Sequence, residues 1–268
     1  MPPSLPPVGI RWTVGDVSER GFRALRLAIL GARRVFGPEA AYAVVVNSLP
    51  VAEARRRTGE VPGEVEWLPA GDLPADLAAF LDEGMAEGVA WKLAPLRLFP
   101  DRWELAFDND LILWSMPPSI AGWLERREGQ ACVLAQDVER ALGGFEAICG
   151  PENLNTGIRG FPPGYDLGAA LAETLRAHPL HLAGELDEQG LQVAALQREV
   201  PPVVVTVEEV SICSPFWPKR PVLGTCGAHF VGLNARSLPW TWYDRPASDC
   251  QNENFDNWAA EIARRMGA

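Results

Sequence analysis

The chain is poor in the residues that most often announce a chemistry. It has only three histidines in 268 residues, which excludes a His-rich metal site. Its five cysteines (Cys132, Cys149, Cys213, Cys226 and Cys250) form no CxxC pair and no other metal-ligand spacing. Their odd number suits mostly buried thiols in a reducing cytoplasm, where they act as small hydrophobes. There is no GxSxG nucleophile elbow, no Walker GxxxxGK[ST] loop, no HExxH and no GxGxxG opening a helix. No apolar run approaches the ~18–20 residues of a membrane span. The opening MPPSLPPVGI lacks both the basic n-region and the long apolar h-region of a signal peptide, so a cytoplasmic location is expected. Positive charge is also short, with 24 Lys and Arg against 35 Asp and Glu and a net charge of -11. Nucleic acid, which needs a basic stripe for its phosphates, is excluded as a partner, and so is broad docking on anionic lipid. A small anionic substrate would need a local metal or a few placed cations.

What is present is core-forming material. Apolar residues make up 47% and aromatics 9% of the chain, and there is no repeat and no low-complexity run. One compact domain over residues 1–268 is expected, since single α/β domains often reach ~250 residues. Gly9–Val14 reads as a first strand. Ser18 caps a helix whose apolar face is Phe22, Leu25, Ala28, Ile29 and Val35 and which stops near Gly37-Pro38. Tyr42–Val46 and Glu64–Leu68 are further strands, Pro74–Ala86 and Val89–Leu98 helices, and Trp103–Phe107 a strand ending in Asp108-Asn109-Asp110. After Leu111–Trp114 (strand), Ser119–Arg126 (helix) and Ala131–Ala135 (strand), the stretch Gly143–Tyr165 reads as loop, dense in Gly, Pro and Asn. Asp166–Ala177 and Glu185–Glu199 are helical and Val203–Val207 is a strand. Cys213–Asn254 reads as irregular, and Glu253–Met266 closes the chain as a helix. The alternation predicts an α/β fold with a mostly parallel central sheet flanked by helices and an irregular C-terminal segment.

The sharpest local feature is Asp108-Asn109-Asp110. Ligands of open α/β sheets bind beyond the carboxyl ends of the strands, and two carboxylates one residue apart can converge on a hard cation together with substrate phosphates. Alone the pattern equally describes a turn, because Asp and Asn favour turns for local reasons.

Four further segments occur with it in order. Trp91-Lys92-Leu93 precedes the triplet, and Leu154-Asn155-Thr156-Gly157-Ile158, Asp187-Glu188-Gln189-Gly190-Leu191-Gln192, and His229-Phe230-Val231-Gly232 with Leu238-Pro239-Trp240 follow it. Together they resemble the motifs of the GT-A nucleotide-sugar glycosyltransferases, in particular the retaining glycosyltransferase family eight. The segments correspond to that family's DxD, N-S/A-G, D-Q-D-x-L-N and H-x-x-G-x-x-K-P-W elements. The chain departs from the pattern at two places. Leu238 stands where the family has the K-P-W lysine, with Arg236 or Lys219 as possible substitutes. The D-Q-D register is open, because aligning on the leucine sets Glu188 at the family's Gln, while a one-residue slip sets Gln189 there.

The resemblance implies a metal-dependent hexosyltransferase-like enzyme that moves a sugar from a UDP-sugar-like donor with retention. The acceptor could be a sugar, a lipid-linked sugar or a protein. It implies a nucleotide-binding half at about 8–115 and an acceptor-side half at about 116–268. Asp108, Asp110 and His229 would hold Mn²⁺ or Mg²⁺, and Lys92 would add charge to the diphosphate. Thr13, Val14, Gly15 and Asp16 would take the nucleoside, with Asn109, Gly232 and Arg236 in the same nucleotide site. Asn155 and Asp187 would contact hydroxyls of the donor sugar, Gly157 would allow close backbone approach in the same site, and Asp187, Glu188 and Gln189 would be the catalytic group. Bland readings stand beside these: Asp16 as part of the Ser18 helix entry, Lys92 as a solvated helix-start residue, Gly157 as a turn, His229 as a hydrogen-bonded core or loop histidine. His178 and His181 read as structural. Trp12, Trp67, Trp91, Trp103 and Trp114 are expected in the core, and Trp217, Trp240 and Trp242 along an acceptor groove. A nucleotidyltransferase and a non-catalytic nucleotide-sugar or glycan binder are the alternative functions.

Overall fold

The computed structural model describes residues 6–81, 90–126, 129 and 131–266. In chain order the elements are β1 (Val8–Val14), α1 (Glu19–Phe36), β2 (Ala41–Val46), α2 (Val51–Thr58), β3 (Glu66–Pro69), α3 (Ala75–Ala78), β4 (Trp103–Asp108), β5 (Leu111–Leu113) and α4 (Pro118–Glu125). They continue with β6 (Val133–Gln136), β7 (Leu154–Phe161), α5 (Leu167–Ala177), α6 (Glu185–Gln197), β8 (Val203–Val205), β9 (Val210–Ile212), β10 (Gly227–His229), β11 (Thr241–Trp242), β12 (Arg245–Pro246) and α7 (Ala247–Met266). Seven strands form the main sheet in the order β3-β2-β1-β4-β7-β6-β8. Four of its pairings are parallel, and β7 runs antiparallel to both its neighbours. No helix among the described residues is long and apolar enough to cross a membrane.

Period-two alternation divides the sheet into two faces. Val8, Ile10, Trp12 and Val14 of β1 join Trp103, Leu105 and Phe107 of β4 in one core, packed with Phe22, Leu25, Ile29, Phe255 and Ile262 from α1 and α7. Ala106, Leu134 and Phe161 face a second core with Leu171 and Leu175 of α5 and Leu191 of α6. On that second face Glu104 takes two guanidinium groups. Arg11 Nε meets Glu104 Oε1 at 2.7 Å and Arg97 Nε meets Glu104 Oε2 at 2.9 Å. Burial opposes charge on Glu104, but the Arg11 guanidinium and the Phe99 N–H outweigh it and hold the carboxyl below its usual range. α1 begins where Ser18 Oγ accepts from Gly21 N at 3.0 Å, and it ends at Gly37, whose φ of +78° costs glycine nothing.

Several elements differ from the sequence reading. Val89–Leu98 is no helix: among its described residues only Ala90–Leu93 form a single 3-10 turn. Pro95 follows at once, lacking an N–H and clashing with a preceding turn. Of Pro74–Ala86, the helix covers Ala75–Ala78, and residues 82–86 lie outside the described set. Gly143–Tyr165 is not all loop, since it contains β7, a fully buried strand at the middle of the sheet. Its glycines mark close neighbours instead of turns: a Cβ at Gly160 would lie 2.6 Å from Val133 Cγ2. The tail is more ordered than expected, with β10, a β11–β12 hairpin, and α7 starting at Ala247 instead of Glu253. α2 has no counterpart in the sequence reading.

Candidate active site

Strands β1, β4 and β6 end on the same edge of the sheet, and β7, running the other way, begins there. The loops beyond that edge enclose a cleft of about 980 Å³. β4 runs straight into the triplet, so Asp108 and Asp110 stand at its mouth. A separate three-stranded sheet, β5-β10-β9, supplies the third group. There β10 pairs antiparallel with β5 so that His229 sits opposite Leu111, and Phe230 N donates to Asp110 O at 3.0 Å. This register sets His229 Nε2 3.2 Å from Asp110 Oδ1 and 3.6 Å from Asp108 Oδ2. Asp108, Asp110 and His229 each offer an atom within 4.8 Å of the others.

The electrostatics of this group are those of a cation site. Asp110 Oδ1 is buried, and the His229 Nε2 beside it at 3.2 Å is a donor only while the imidazole carries a proton there. An unpartnered carboxylate oxygen is costly inside a protein unless a cation meets it. Burial disfavours a charged His229, yet the Asp110 and Asp108 carboxylates raise its pKa above the usual value. Burial likewise would raise Asp108, but Lys92 and His229 hold it low. Lys92 Nζ lies 2.8 Å from Asp108 Oδ1; burial opposes its charge, but Asp108 keeps its pKa raised. Two carboxylates and an imidazole suit a divalent ion, so the donor set fits a metal.

Residues around the triad hold it. Asn109 turns its side chain away to Asn234 Oδ1 at 2.7 Å, and Asn234 Nδ2 returns bonds to Asn109 Oδ1 at 3.0 Å and Asp110 Oδ2 at 3.1 Å. Asn234 escaped the sequence reading, although it lies in the loop that follows His229. Gly157 does not line the cleft. A Cβ there would meet His229 Cε1 at 2.5 Å, so its lack of a side chain makes room for the imidazole. Gly232, with φ +86°, makes the turn after β10 and lines the cleft.

At one end of the cleft lie Thr13, Gly15, Asp16 and Ser48, where β1 and β2 stop. Thr13 Oγ1 is buried there without a partner, as is Nδ2 of Asn47, which follows β2 and lies outside the cleft lining. Val14 points into the core and contributes no side chain to the cleft. Asp16 is bound by Arg57 at 2.6 Å and by Arg236, and these guanidinium contacts hold its carboxyl low. At the other end are Asp137, Glu139, Asn155, Glu188, Gln189 and Lys219. Asn155 Nδ2 donates to Asp137 Oδ2 at 3.1 Å and its Oδ1 accepts from Gly157 N at 2.9 Å. Asp137 was also missed, although it follows directly on Gln136, the last residue of β6. Lys219 pairs with Glu139 across the cleft.

The α6 residues separate by helix phase. Asp187 is turned out of the cleft: its oxygens accept from Gly144 N at 2.8 Å and Ala183 N at 3.0 Å, a local capping role. Glu188, 1% exposed, faces the cleft. Burial pushes its carboxyl up to about 7, against the pull of Lys92 and Arg159. Gln192 donates to it, and Arg159 Nη1 donates to Gln192 Oε1 at 2.7 Å. Gln189 also borders the cleft, tied by Nε2 to Ala141 O at 2.8 Å. His178 closes α5 as its C-cap, and His181 lies tilted against Phe80. Trp12, Trp103 and Trp114 are core residues, Trp67 is half-buried, and the Trp91 side chain lies outside the described set.

The chain matches no protein-family model and no curated protein. Solved structures do match over nearly its whole length. The galactosyltransferase LgtC, solved in complex with donor and acceptor sugar analogues, is 15% identical, with 97% of this chain and 95% of LgtC covered at a TM-score of 0.53. An active-site mutant of LgtC is 14% identical, with 96% and 99% covered at a TM-score of 0.54. The likeness is one of fold: the chain has the GT-A glycosyltransferase architecture, a seven-stranded, mostly parallel sheet flanked by helices.

Proposed function

We propose that this chain is a glycosyltransferase that moves a sugar from a UDP-sugar-like donor to an acceptor, with retention at the anomeric carbon. The observation that carries this reading is the buried convergence of Asp108, Asp110 and His229 at the strand-end cleft of a GT-A fold. The fold of LgtC, a galactosyltransferase, and the order of the five sequence motifs support it.

Asp108, Asp110 and His229 would hold Mn²⁺ or Mg²⁺. When bound, such an ion supplies Lewis-acid charge for a donor diphosphate. The chain's own groups do the rest. The Lys92 ammonium, kept charged by Asp108, lends a point charge to the departing diphosphate. Thr13 Oγ1 is an unmet polar group suited to a nucleoside. Asn155, Glu188 and Gln189 present polar atoms to the donor sugar from the opposite end. The acceptor hydroxyl attacks the anomeric carbon on the face from which the diphosphate leaves. The carbon–oxygen bond to phosphate breaks, a glycosidic bond forms, and the hydroxyl proton passes to a diphosphate oxygen.

A thermal-shift panel of nucleoside diphosphates and nucleotide sugars, with and without Mn²⁺, tests the reading. A ligand at 100 times its Kd stabilises the fold by ~2.7 kcal/mol. UDP and one UDP-sugar should stabilise only with Mn²⁺, and slow UDP release should follow. Absence of any nucleotide-dependent shift overturns the proposal. Binding without UDP release leaves a non-catalytic nucleotide-sugar binder.

A further inference from the structure

The segments that supply Lys219 and Leu238 to the cleft also carry an aromatic cluster that lies outside the cleft lining. Phe216 packs edge-on against Trp240 at 4.4 Å and Trp242 at 5.5 Å between ring centroids. Trp242 in turn meets Tyr243 at 5.2 Å. Tyr243 is 86% exposed and Trp217 81%. The chain links the two: Lys219 and Leu238, each two residues from a tryptophan, line the cleft.

Tyr243 stands at a demanding position. β11 and β12 pair Trp242 with Arg245, leaving Tyr243 and Asp244 as a two-residue turn with φ of 48° and 61°. Such a turn favours Asn-Gly, and a bulky side chain there is strained. The Tyr243 ring makes one edge contact, with Trp242, and is otherwise open to solvent. It is offered there at a local cost.

The charges around the cluster decide what it suits. Lys219 is paired with Glu139, Arg236 with Asp16, and Arg245 with Glu253 at 2.7 Å. Asp244 and Glu253 add acceptors, and the chain as a whole is at -11. Arg220, exposed three residues from Trp217, is the one cation here with no carboxylate against it among the described residues, too little charge to hold anionic lipid headgroups. The cluster does match a ligand with apolar C–H faces for the rings and hydroxyl donors for the carboxylates. We propose that Trp217, Trp240 and Tyr243 form a platform for a carbohydrate acceptor, with the sugar rings lying on the aromatics and the terminal hydroxyl reaching into the cleft. This rests on the glycosyltransferase reading for the transfer step, while the binding itself stands apart from it.

The test uses Trp217→Ala, at a side chain that is mostly in solvent, and Tyr243→Asn, which suits the turn and so preserves the fold. The probes are maltose, cellobiose, lactose and chitobiose, read first by tryptophan fluorescence without donor and then as acceptors with a UDP-sugar and Mn²⁺. At least one disaccharide should quench the wild type and bind about tenfold more weakly to each variant. The KM for that acceptor should rise similarly, while the Kd for UDP stays the same. Failure of every disaccharide to alter the fluorescence, or equal saccharide affinity in wild type and both variants, overturns the platform. Loss of binding to phosphatidylcholine vesicles with unchanged saccharide affinity overturns it in favour of a lipid surface. Saccharide binding that both variants weaken, in a protein that neither binds UDP nor turns it over, upholds the platform and refutes only the donor reading.

Discussion

The imidazole of His229 rests against the backbone of Gly157, where any β-carbon would come within 2.5 Å of Cε1 and 2.6 Å of Nδ1. The glycine of a central strand therefore sets the position of a ring contributed by a different sheet. Gly157→Ala should push His229 off the triad. Outer contacts of this kind typically govern 10–100-fold in metal affinity, so Mn²⁺ binding by calorimetry should weaken about that much. Overpacking should also cost about 1–3 kcal/mol in denaturant unfolding. Unchanged Mn²⁺ affinity would show that the ring is free to relax and that Gly157 has no part in the site.

Asp110→Asn removes the buried carboxylate charge while keeping its shape. Asn234 Nδ2 now donates to Asp110 Oδ2 at 3.1 Å and can still donate to an amide oxygen there. The variant should fold normally, with its thermal midpoint no longer responding to Mn²⁺ and no UDP release above background. A variant that keeps the wild-type Mn²⁺ response, or that unfolds far below the wild type, would assign Asp110 to structure.

Two cations compete for the role of the absent K-P-W lysine. Both line the cleft, but the Lys219 side chain is 20% exposed and that of Arg236 62%. A charge shielded from water acts more strongly on a diphosphate than one exposed to it. Lys219→Met should weaken UDP binding by about 1.5–3 kcal/mol, and Arg236→Ala by under about 1 kcal/mol, with calorimetry in Mn²⁺ as the measure. The reverse order would hand the role to Arg236.

Glu188 makes stability depend on pH. Burial raises its folded pKa from 4.5 to about 7, so between those values the folded chain holds a proton that the unfolded chain has lost. Stability therefore falls as pH rises through that window and stays lower above it, by on the order of 3 kcal/mol. Glu188→Gln mimics the protonated carboxyl. It should match wild type near pH 4.5 and exceed it in urea unfolding at pH 8. Parallel stability curves for the two proteins would show that Glu188 ionises freely in the fold.

The sequence by itself determined what depends on neighbours a few residues away. The Ser18 cap, the alternation of β1, α1 and β2, the strand that ends in Asp108-Asn109-Asp110 and the helices α5 and α6 follow from local periodicity and capping, which act within a turn or two of chain. The acidic triplet was legible for that reason, and the order of the motifs pointed to His229. Only the tertiary structure decided the rest. β7 looked like loop because its Gly and Asn residues answer to Val133 and His229, which press on it from elsewhere in the chain. Asp187 and Glu188 are adjacent, and no motif register says which faces the cleft; the phase of α6 against the sheet turns Glu188 in and leaves Asp187 to cap backbone N–H groups. His229 meets Asp110 through the pairing of β10 with β5, a register between distant segments that is set by burial of both strands. Local patterns carry no term for such contacts, because their energy exists only once the chain has closed the long loops that bring the segments together.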